Sequence, residues 1–209
     1  MPDKDKKSLF QNIKHVSLHR NTLPQLAVCA NDLLNGQADF SDICFLYNDP
    51  LFAFTFFKKY FEFRIAAGGV VKNEKGEILM IYKNNNWDLP KGHVMSSNEL
   101  FDECAKREVF EETNVKCLKI SSSIFSTYHM YKQKKCILND IVSNHRPLVD
   151  CVILKETKWF LMTTTSNQYL KPQLQEGILE VKWIPIAKLN DLKTYRSIKE
   201  VLTYFRLIE

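Results

Sequence analysis

Segment 92–115, which reads GHVMSSNELFDECAKREVFEETNV, constrains the fold and chemistry of this 209-residue chain more than any other. Helical spacing places Phe101, Cys104 and Ala105 on one apolar stripe. An acidic cluster of three carboxylates continues the stripe: Glu108, Glu111 and Glu112. Crowded anions repel one another and burial disfavours their charged forms, so a hard divalent cation that prefers oxygen ligands would stabilise them. The pattern therefore predicts a helix that carries a Mg²⁺ or Mn²⁺ site.

The alternative for the same acids is a solvated helix face supported by neighbouring bases, which is common in Glu-rich helices. The residues before the helix favour the metal site. Segment 87–93, WDLPKGH, is a rigid Pro-turn-Gly stretch that brings backbone and Lys91 close to the start of the helix. Ser96 and Glu99 form an S-x-x-E capping box, which predicts where the helix begins.

Segment 92–115 resembles the Nudix box, whose family pattern is G-x5-E-x7-R-E-U-x-E-E-x-G-U, with U an aliphatic residue. The matching positions are filled by Gly92, Glu99, Arg107, Glu108, Val109, Glu111, Glu112 and Val115. Six residues rather than five separate Gly92 from Glu99, so the loop before the helix is one residue longer. Asn114 stands in place of the second glycine, and Asn tolerates the left-handed conformation that often ends a helix.

The resemblance implies a divalent-metal-dependent pyrophosphohydrolase that uses Mg²⁺ or Mn²⁺. Its expected substrate is a small molecule, a nucleoside diphosphate linked to another moiety, as in ADP-ribose, a dinucleoside polyphosphate or a nucleoside triphosphate. The implied metal ligands are the acidic cluster and the carbonyl oxygen of Gly92, and Arg107 is implied to orient the catalytic glutamates. Related enzymes are often dimers, so a homodimer is an open expectation.

The general base is not fixed by the motif, because Nudix enzymes differ in where it lies. A carboxylate must accept the proton of the attacking water. Glu111 and Glu112 are the favoured candidates, each as ligand and base. Glu176 is the candidate from outside the box, as base or substrate contact. Its alternative is a simple turn carboxylate beside Gly177.

Candidate substrate contacts lie on both sides of the motif. Lys91 precedes the motif glycine and Arg64 leads into the preceding strand, so both are candidate phosphate contacts; a surface base on an edge strand is the alternative for Arg64. His93 faces either the site or solvent. Arg107 follows Glu103 by four residues, which predicts a helical ion pair. Three aromatic residues either stack on a nucleobase or pack in the sheet: Tyr128, Tyr131 and Trp159.

The fold class predicted for residues 63–209 is α/β (α+β), a Nudix-type α/β/α sandwich with a mixed sheet. Apolar runs at 66–71 and 78–82 flank turn-forming residues at 73–76, which predicts a hairpin. Further elements are expected in chain order: strands at 117–131, 152–165 and 181–184, and a closing helix at 194–205. The polar segment 132–150 is expected to be a long surface loop, either a lid or an insertion.

Residues 1–62 are expected to form a small N-terminal α/β appendage of unknown role. It resembles the leader of some bacterial Nudix proteins. Its predicted elements are a helix at 23–34 that ends before Gly36, a strand at 43–47 and an aromatic-rich helix at 49–60. Such aromatic density is more typical of a packing face than of a ligand site.

Composition narrows the classes of protein. Hydrophobic residues make up 45% of the chain, which supports a sizeable core. The net charge of +5 is spread along the chain, so nucleic acid is not an expected partner. The six cysteines lack zinc-ligand spacing, and reduced thiols are expected. No apolar run is long enough to span a membrane and the first residues are polar, so a cytoplasmic location is expected.

Three classes of function remain open: an enzyme, a nucleotide-sensing Nudix-like regulator that does not cleave its ligand, and an interaction module. Regulators of that kind usually append a winged helix and often lose the motif acids. The acids are intact here, which favours the enzyme.

Overall fold

The computed structural model describes residues 15–17, 23–37, 43–45, 49–136 and 148–209. The chain divides into two compact units. One comprises Met1–Phe63 with Met130–Leu154, and the other comprises Arg64–His129 with Lys155–Glu209. Across the described ranges, none of the helices has both the length and the apolar character needed to cross a membrane.

The first unit begins with short strands and two helices: β1 (His15–Ser17), α1 (Leu23–Asn35), β2 (Ile43–Phe45) and α2 (Pro50–Lys58). Both predicted helices are confirmed. α1 ends before Gly36, whose φ of 66° suits a glycine. α2 starts where Asp49 caps it, because Asp49 Oδ1 accepts the N–H of Phe52 at 2.9 Å. Phe57 is buried, with its ring centroid 4.7 Å from that of Phe61, as expected for a packing residue, whereas Phe52 and Tyr60 of the same helix region are exposed.

A seven-stranded sheet is formed by the described residues. Its strands are β3 (Glu62–Lys72), β4 (Glu77–Lys83), β5 (Asn86–Asp88), β6 (Lys91–His93), β7 (Lys119–Cys136), β8 (Leu148–Thr163) and β9 (Glu180–Pro185). The strand order is β5-β4-β3-β8-β7, with β6 paired to β3 and β9 paired to β4. β3 and β4 form the predicted hairpin. Asn73 closes its turn by accepting the N–H groups of Lys75 and Glu77, and Gly76 has a φ of 78°.

Two helices, α3 (Phe101–Thr113) and α4 (Arg196–Tyr204), pack on opposite faces of this sheet in the second unit. One core cluster joins the sheet to α3: Ala67, Val71 and Leu79 with Cys104, Ala105 and Val109. The other joins the sheet to α4: Val70, Ile78 and Met80 with Ile198, Val201 and Leu202. Successive residues of a strand point to opposite faces, so these two sets define two layers of helix around one sheet. The predicted α/β/α sandwich is confirmed.

The motif helix begins later than predicted. α3 starts at Phe101, and its N-cap residue Leu100 makes no side-chain capping bond. The capping box assigned to Ser96 and Glu99 was wrong, because Glu99 Oε2 accepts the N–H of Met95 at 2.7 Å. The other end of the helix follows the prediction, with Asn114 in the left-handed conformation at φ 63°.

Segment 132–150 is only partly a loop. β7 continues to Cys136 and β8 already begins at Leu148, so the prediction of a loop over the whole segment was wrong at both ends. The residues between the two strands, 137–147, lie outside the described residues, and so does the choice between a lid and an insertion.

Candidate active site

Gly92 lies against the carboxylate of Glu108, which occupies the space that a side chain at position 92 would fill. β6 pairs with β3 so that Gly92 is opposite Ala67, which brings the motif glycine beside α3. A Cβ atom at Gly92 would fall 2.0 Å from Glu108 Oε2 and 2.3 Å from Oε1. The carboxylate of Glu108 therefore rests directly on the glycine, and any side chain at position 92 would displace it.

Arg107 connects the loop to two members of the acidic cluster. Its Nε lies 2.7 Å from Glu99 Oε1, and its Nη1 lies 2.6 Å from Glu108 Oε1 and 3.0 Å from Glu111 Oε2. Its Nη2 also donates to the carbonyl of His93 at 3.0 Å. Among the ion pairs of the described residues Arg107 has none with Glu103, so the predicted pair was wrong. The hydrogen bonds that Arg107 donates to Glu99 raise the pKa of Arg107 and lower the pKa of Glu99.

Glu112 is the most deeply buried member of the acidic cluster, with 5% of its surface exposed. Its Oε2 accepts the backbone N–H of Lys91 at 2.9 Å, which fixes the carboxylate against the motif loop. Burial raises the pKa of Glu112 to about 7. Burial also raises the pKa of Glu108, although hydrogen bonding from Arg107 opposes the shift. These carboxylates carry a desolvation cost that a cation would offset.

A cavity of about 680 Å³ in the second unit brings most of the predicted site residues together. The candidates that line it are Lys91, Gly92, His93, Glu108, Glu111, Glu112, Tyr128, Trp159 and Glu176. Among the described residues that line the cavity, neither Arg64 nor Arg107 appears. Arg107 acts on the site through Glu108 and Glu111. Arg64 does not line the cavity, but burial, followed by the charges of Lys155 and Arg64, lowers the pKa of His93, which does line it.

The remaining candidates differ in their ion-pair partners and in how much of their surface is exposed. Lys91 Nζ is 2.5 Å from Asp88 Oδ2, so the lysine is held by a buried carboxylate. Glu176 ends a 3₁₀ turn (Leu174–Glu176), is largely exposed, and pairs with Lys83 at 3.5 Å. Trp159 is 1% exposed and belongs to the core, whereas Tyr128 is 43% exposed.

Several residues that line the cavity were not singled out from the sequence: Lys83, Asp88, Thr127, His129, Lys155, Thr157 and Tyr195. Asp88 lies inside the WDLPKGH segment, and its Oδ1 accepts the N–H of Leu89 at 2.8 Å. Lys155, Thr157 and Trp159 alternate along β8, so all three belong to one face of the strand. That alternation is readable in the sequence, but which face of β8 lines the cavity is not.

The oxygen atoms of the acidic cluster and of the Gly92 backbone are the type of ligand that a hard divalent cation prefers. Three carboxylates and the backbone of Gly92 line the same cavity, and oxygen atoms are the ligands that Mg²⁺ and Mn²⁺ prefer. Within the described part of the chain, no three acidic, histidine or cysteine side chains are drawn around a single point. Arg107 binds Glu108 and Glu111, and the backbone N–H of Lys91 binds Glu112.

The chain is similar to proteins of one known family. The family model for the NUDIX domain matches residues 62–205. Among solved structures, a C. elegans Ap4A hydrolase in a binary complex has a TM-score of 0.49 at 20% identity, over 68% of this chain and 94% of that chain. The E. coli dihydroneopterin triphosphate pyrophosphohydrolase has a TM-score of 0.46 at 14% identity, over 69% and 97%. A MutT protein from Bacillus halodurans has a TM-score of 0.42 at 19% identity, over 70% and 83%.

A helix that bears the R-E-U-x-E-E acids beside a cavity in an α/β/α sandwich defines a Nudix-type protein. With the family model covering most of its length, the chain belongs to the Nudix family. It is a hydrolase that acts on pyrophosphate bonds, as predicted, and Nudix hydrolases generally use divalent metals.

Proposed function

We propose that the chain is a Mg²⁺- or Mn²⁺-dependent pyrophosphohydrolase that cleaves a nucleoside diphosphate linked to another moiety. ADP-ribose, dinucleoside polyphosphates and nucleoside triphosphates belong to this class. The observation that carries the proposal is the composition of one cavity. The carboxylates Glu108, Glu111 and Glu112 share it with three lysines, Lys83, Lys91 and Lys155. The cavity therefore contains carboxylates that can bind a metal cation and lysines that can bind phosphate, so one ligand can contact both groups.

In this proposal Glu108, Glu111, Glu112 and the Gly92 carbonyl hold the divalent cation. The cation supplies Lewis-acid polarisation of the diphosphate and an activated water. The protein contributes a prearranged electrostatic environment in which little reorganisation is needed during the reaction. Gly92 and Arg107 fix Glu108, and the N–H of Lys91 fixes Glu112.

The general base is proposed to be Glu111 or Glu112. Glu112 has one oxygen committed to the Lys91 N–H, and the cluster in which it lies faces the cavity. Glu176 lines the same cavity but is largely exposed and paired with Lys83, which favours a role in substrate contact at the rim. Lys91 and Lys83 balance charge on the phosphates, and the exposed ring of Tyr128 offers a surface for a nucleobase.

A cytoplasmic location, a homodimer and a separate appendage at residues 1–62 stay predictions. So does the role of Arg64 as a phosphate contact.

A phosphate-release screen tests the proposed function. Purified protein is incubated with nucleotide diphosphates of the three classes in the presence of Mg²⁺ or Mn²⁺, beside Glu112→Gln and the exposed-site control Glu180→Gln. We expect turnover of at least one class, a loss of about 100-fold or more in Glu112→Gln, and wild-type rates in Glu180→Gln. The thermal midpoint of Glu112→Gln is measured in parallel, and it should stay close to that of the wild type.

Unchanged turnover in Glu112→Gln would overturn the assignment of the acidic cluster. Binding of nucleotides without any metal-dependent cleavage would instead favour the sensing regulator.

A further inference from the structure

Asp88 is a buried carboxylate in the wall of the cavity, and it lies outside the Nudix box. It is the last residue of β5, and 7% of its surface is exposed. Its Oδ1 accepts the N–H of Leu89 at 2.8 Å, and its Oδ2 lies 2.5 Å from Nζ of Lys91. The same Nζ donates to the carbonyl of Leu89 at 3.3 Å. Both oxygens of Asp88 are therefore engaged, and one of them holds the ammonium group of Lys91.

The backbone of Lys91 is fixed as well as its ammonium group. A Cβ atom at Gly68 would fall 2.7 Å from Cβ of Lys91, so the lysine lies directly against β3. The N–H of Lys91 donates to Glu112 Oε2 at 2.9 Å. Lys91 thus contacts Glu112 with its backbone and Asp88 with its side chain. Only the flexible methylene groups between them leave the ammonium group a choice between the two carboxylates.

Glu112 is a second carboxylate on which the charge of Lys91 acts. Burial raises the pKa of Glu112, and the charge of Lys91 is the largest influence that opposes this shift. Among the described residues, Oε1 of Glu112 has no hydrogen-bond or ion-pair partner. A lysine ammonium group binds carboxylate oxygens as a compact charge, and a hard divalent cation binds the same kind of oxygen. An ammonium group on Oε1 would therefore compete with the metal for this ligand.

We infer that Asp88 is a positioning residue: it holds the ammonium group of Lys91 away from Glu112 and so keeps Oε1 of Glu112 free for the divalent cation. This inference rests on the proposed function for the metal site. Asp88 itself contacts neither the metal nor the substrate, and it acts only through Lys91.

A double-mutant cycle on Mn²⁺ binding tests the inference without any nucleotide. Electron paramagnetic resonance measures the Kd of Mn²⁺ for the full chain, for Asp88→Asn, for Lys91→Met and for the double variant. Lys91→Met removes the ammonium group and leaves the N–H that binds Glu112. We expect Asp88→Asn to weaken Mn²⁺ binding about tenfold or more, as the loss of groups that orient metal ligands does. In the Lys91→Met background the same substitution should change the Kd less than about threefold, because no ammonium group remains to be held.

The cycle separates the placement of Lys91 from the simple effect of charge. Asp88 also acts on Lys155, whose pKa is lowered by burial and by the charge of Lys91 and raised by the charge of Asp88. If Asp88 acted through its own charge alone, Asp88→Asn would weaken Mn²⁺ binding equally in both backgrounds, and this result would overturn the inference. Unchanged binding in Asp88→Asn would overturn it too. The control is Asp102→Asn, which removes an exposed carboxylate paired with Lys106 and should leave the Kd unchanged.

Thermal midpoints of the four proteins show whether each variant folds. The inference requires Asp88→Asn to fold, because the released ammonium group finds a partner in Glu112, so an unfolded Asp88→Asn would overturn it. Lys91→Met leaves a buried carboxylate unpaired, which is costly. If that variant does not fold, the double variant is compared with the wild type. The two Kd values should then agree within about threefold, and a double variant that binds about tenfold more weakly would overturn the inference.

A crystal structure of metal-free Asp88→Asn locates the ammonium group directly. We expect Nζ of Lys91 within hydrogen-bond distance of Glu112 Oε1, whereas an Nζ that stays on the carbonyl of Leu89 would overturn the inference. This result does not depend on the proposed function. Failure of the wild type to bind Mn²⁺ would overturn the proposed metal site, and the position of Nζ in the variant would still decide whether Asp88 holds Lys91 away from Glu112.

Discussion

Arg107 holds the carboxylate of Glu99 with two nitrogens, Nε at 2.7 Å from Oε1 and Nη2 at 3.2 Å from Oε2. The same guanidinium contacts Glu108 and Glu111, so one side chain joins the loop before α3 to two of the proposed metal ligands. A lysine has no comparable planar fork. The arginine of the box therefore acts as a positioning residue, with Glu99 as its fixed anchor.

Replacing Arg107 should weaken both the fold and the reaction. Arg107→Met removes several charged hydrogen bonds, and we expect a loss of about 2 kcal/mol in the free energy of unfolding. We also expect kcat/KM to fall about 10- to 100-fold, as for the loss of groups that orient metal ligands. Denaturant unfolding and steady-state kinetics measure the two effects. Arg196→Met is the matched control, because Arg196 is highly exposed and forms a surface ion pair with Glu200. A comparable loss in that control would contradict the argument.

The Arg107–Glu99 pair should also make stability depend on pH. The hydrogen bond from Arg107 lowers the pKa of Glu99 below its ordinary value of 4.5. A carboxylate with a depressed folded-state pKa contributes stability above its unfolded-state pKa, and this contribution is lost as the pH falls through the folded-state value. The wild type should therefore be more stable than Glu99→Gln at pH 7, and the difference should shrink below about pH 4.5. Thermal midpoints across pH 3–7 test this; a difference that is constant with pH would exclude the ionised pair as its source.

The turn and the helix end that depend on neighbouring residues were predictable, whereas the start of α3 and the contacts between distant segments were not. The β3–β4 hairpin and the left-handed Asn114 follow from turn chemistry within a few residues. The partner of Arg107 is eight positions away on the loop, and only the folding of that loop brings Glu99 to it. The position of Lys155 depends on which face of β8 meets the cavity, which is set by the pairing of β8 with its neighbours. A one-residue change of register would have turned Lys155 away.

Gly92→Ala should reduce activity more than stability. The added methyl group would overlap the carboxylate of Glu108, which is the end of a flexible side chain and can move aside. We expect turnover to fall about 100-fold, because a displacement of about 1 Å at a reacting centre has this effect, while the thermal midpoint stays close to that of the wild type.

Gly76→Ala is the control for that substitution. Gly76 has a φ of 78° and nothing within 4 Å of an added Cβ, so its variant should lose about 1 kcal/mol of stability and keep its turnover. Full activity in Gly92→Ala would show that the position of Glu108 does not matter.

Thr127 should stabilise the strand pair through Trp159. Thr127→Val keeps the shape of the side chain but leaves the indole N–H of a tryptophan that is 1% exposed without its acceptor. We expect a loss of about 1–3 kcal/mol in the free energy of unfolding. Thr127→Ser retains the hydroxyl and should lose less. Chemical denaturation of the three proteins measures the difference, and equal stabilities of the Val and Ser variants would contradict a role for the hydrogen bond.

Asn114 ends α3 with a φ of 63°, and its Nδ2 donates to the carbonyl of Tyr169 at 2.8 Å. Both Asn114→Ala and Asn114→Gly lose this hydrogen bond, but only alanine must also adopt a left-handed backbone conformation against its preference. We therefore expect Asn114→Gly to be more stable than Asn114→Ala by about 1 kcal/mol, and both to be less stable than the wild type. Denaturant midpoints rank the three proteins. If the alanine and glycine variants were equally stable, the helix end would not depend on the left-handed conformation, and the asparagine would be retained for its hydrogen bond alone.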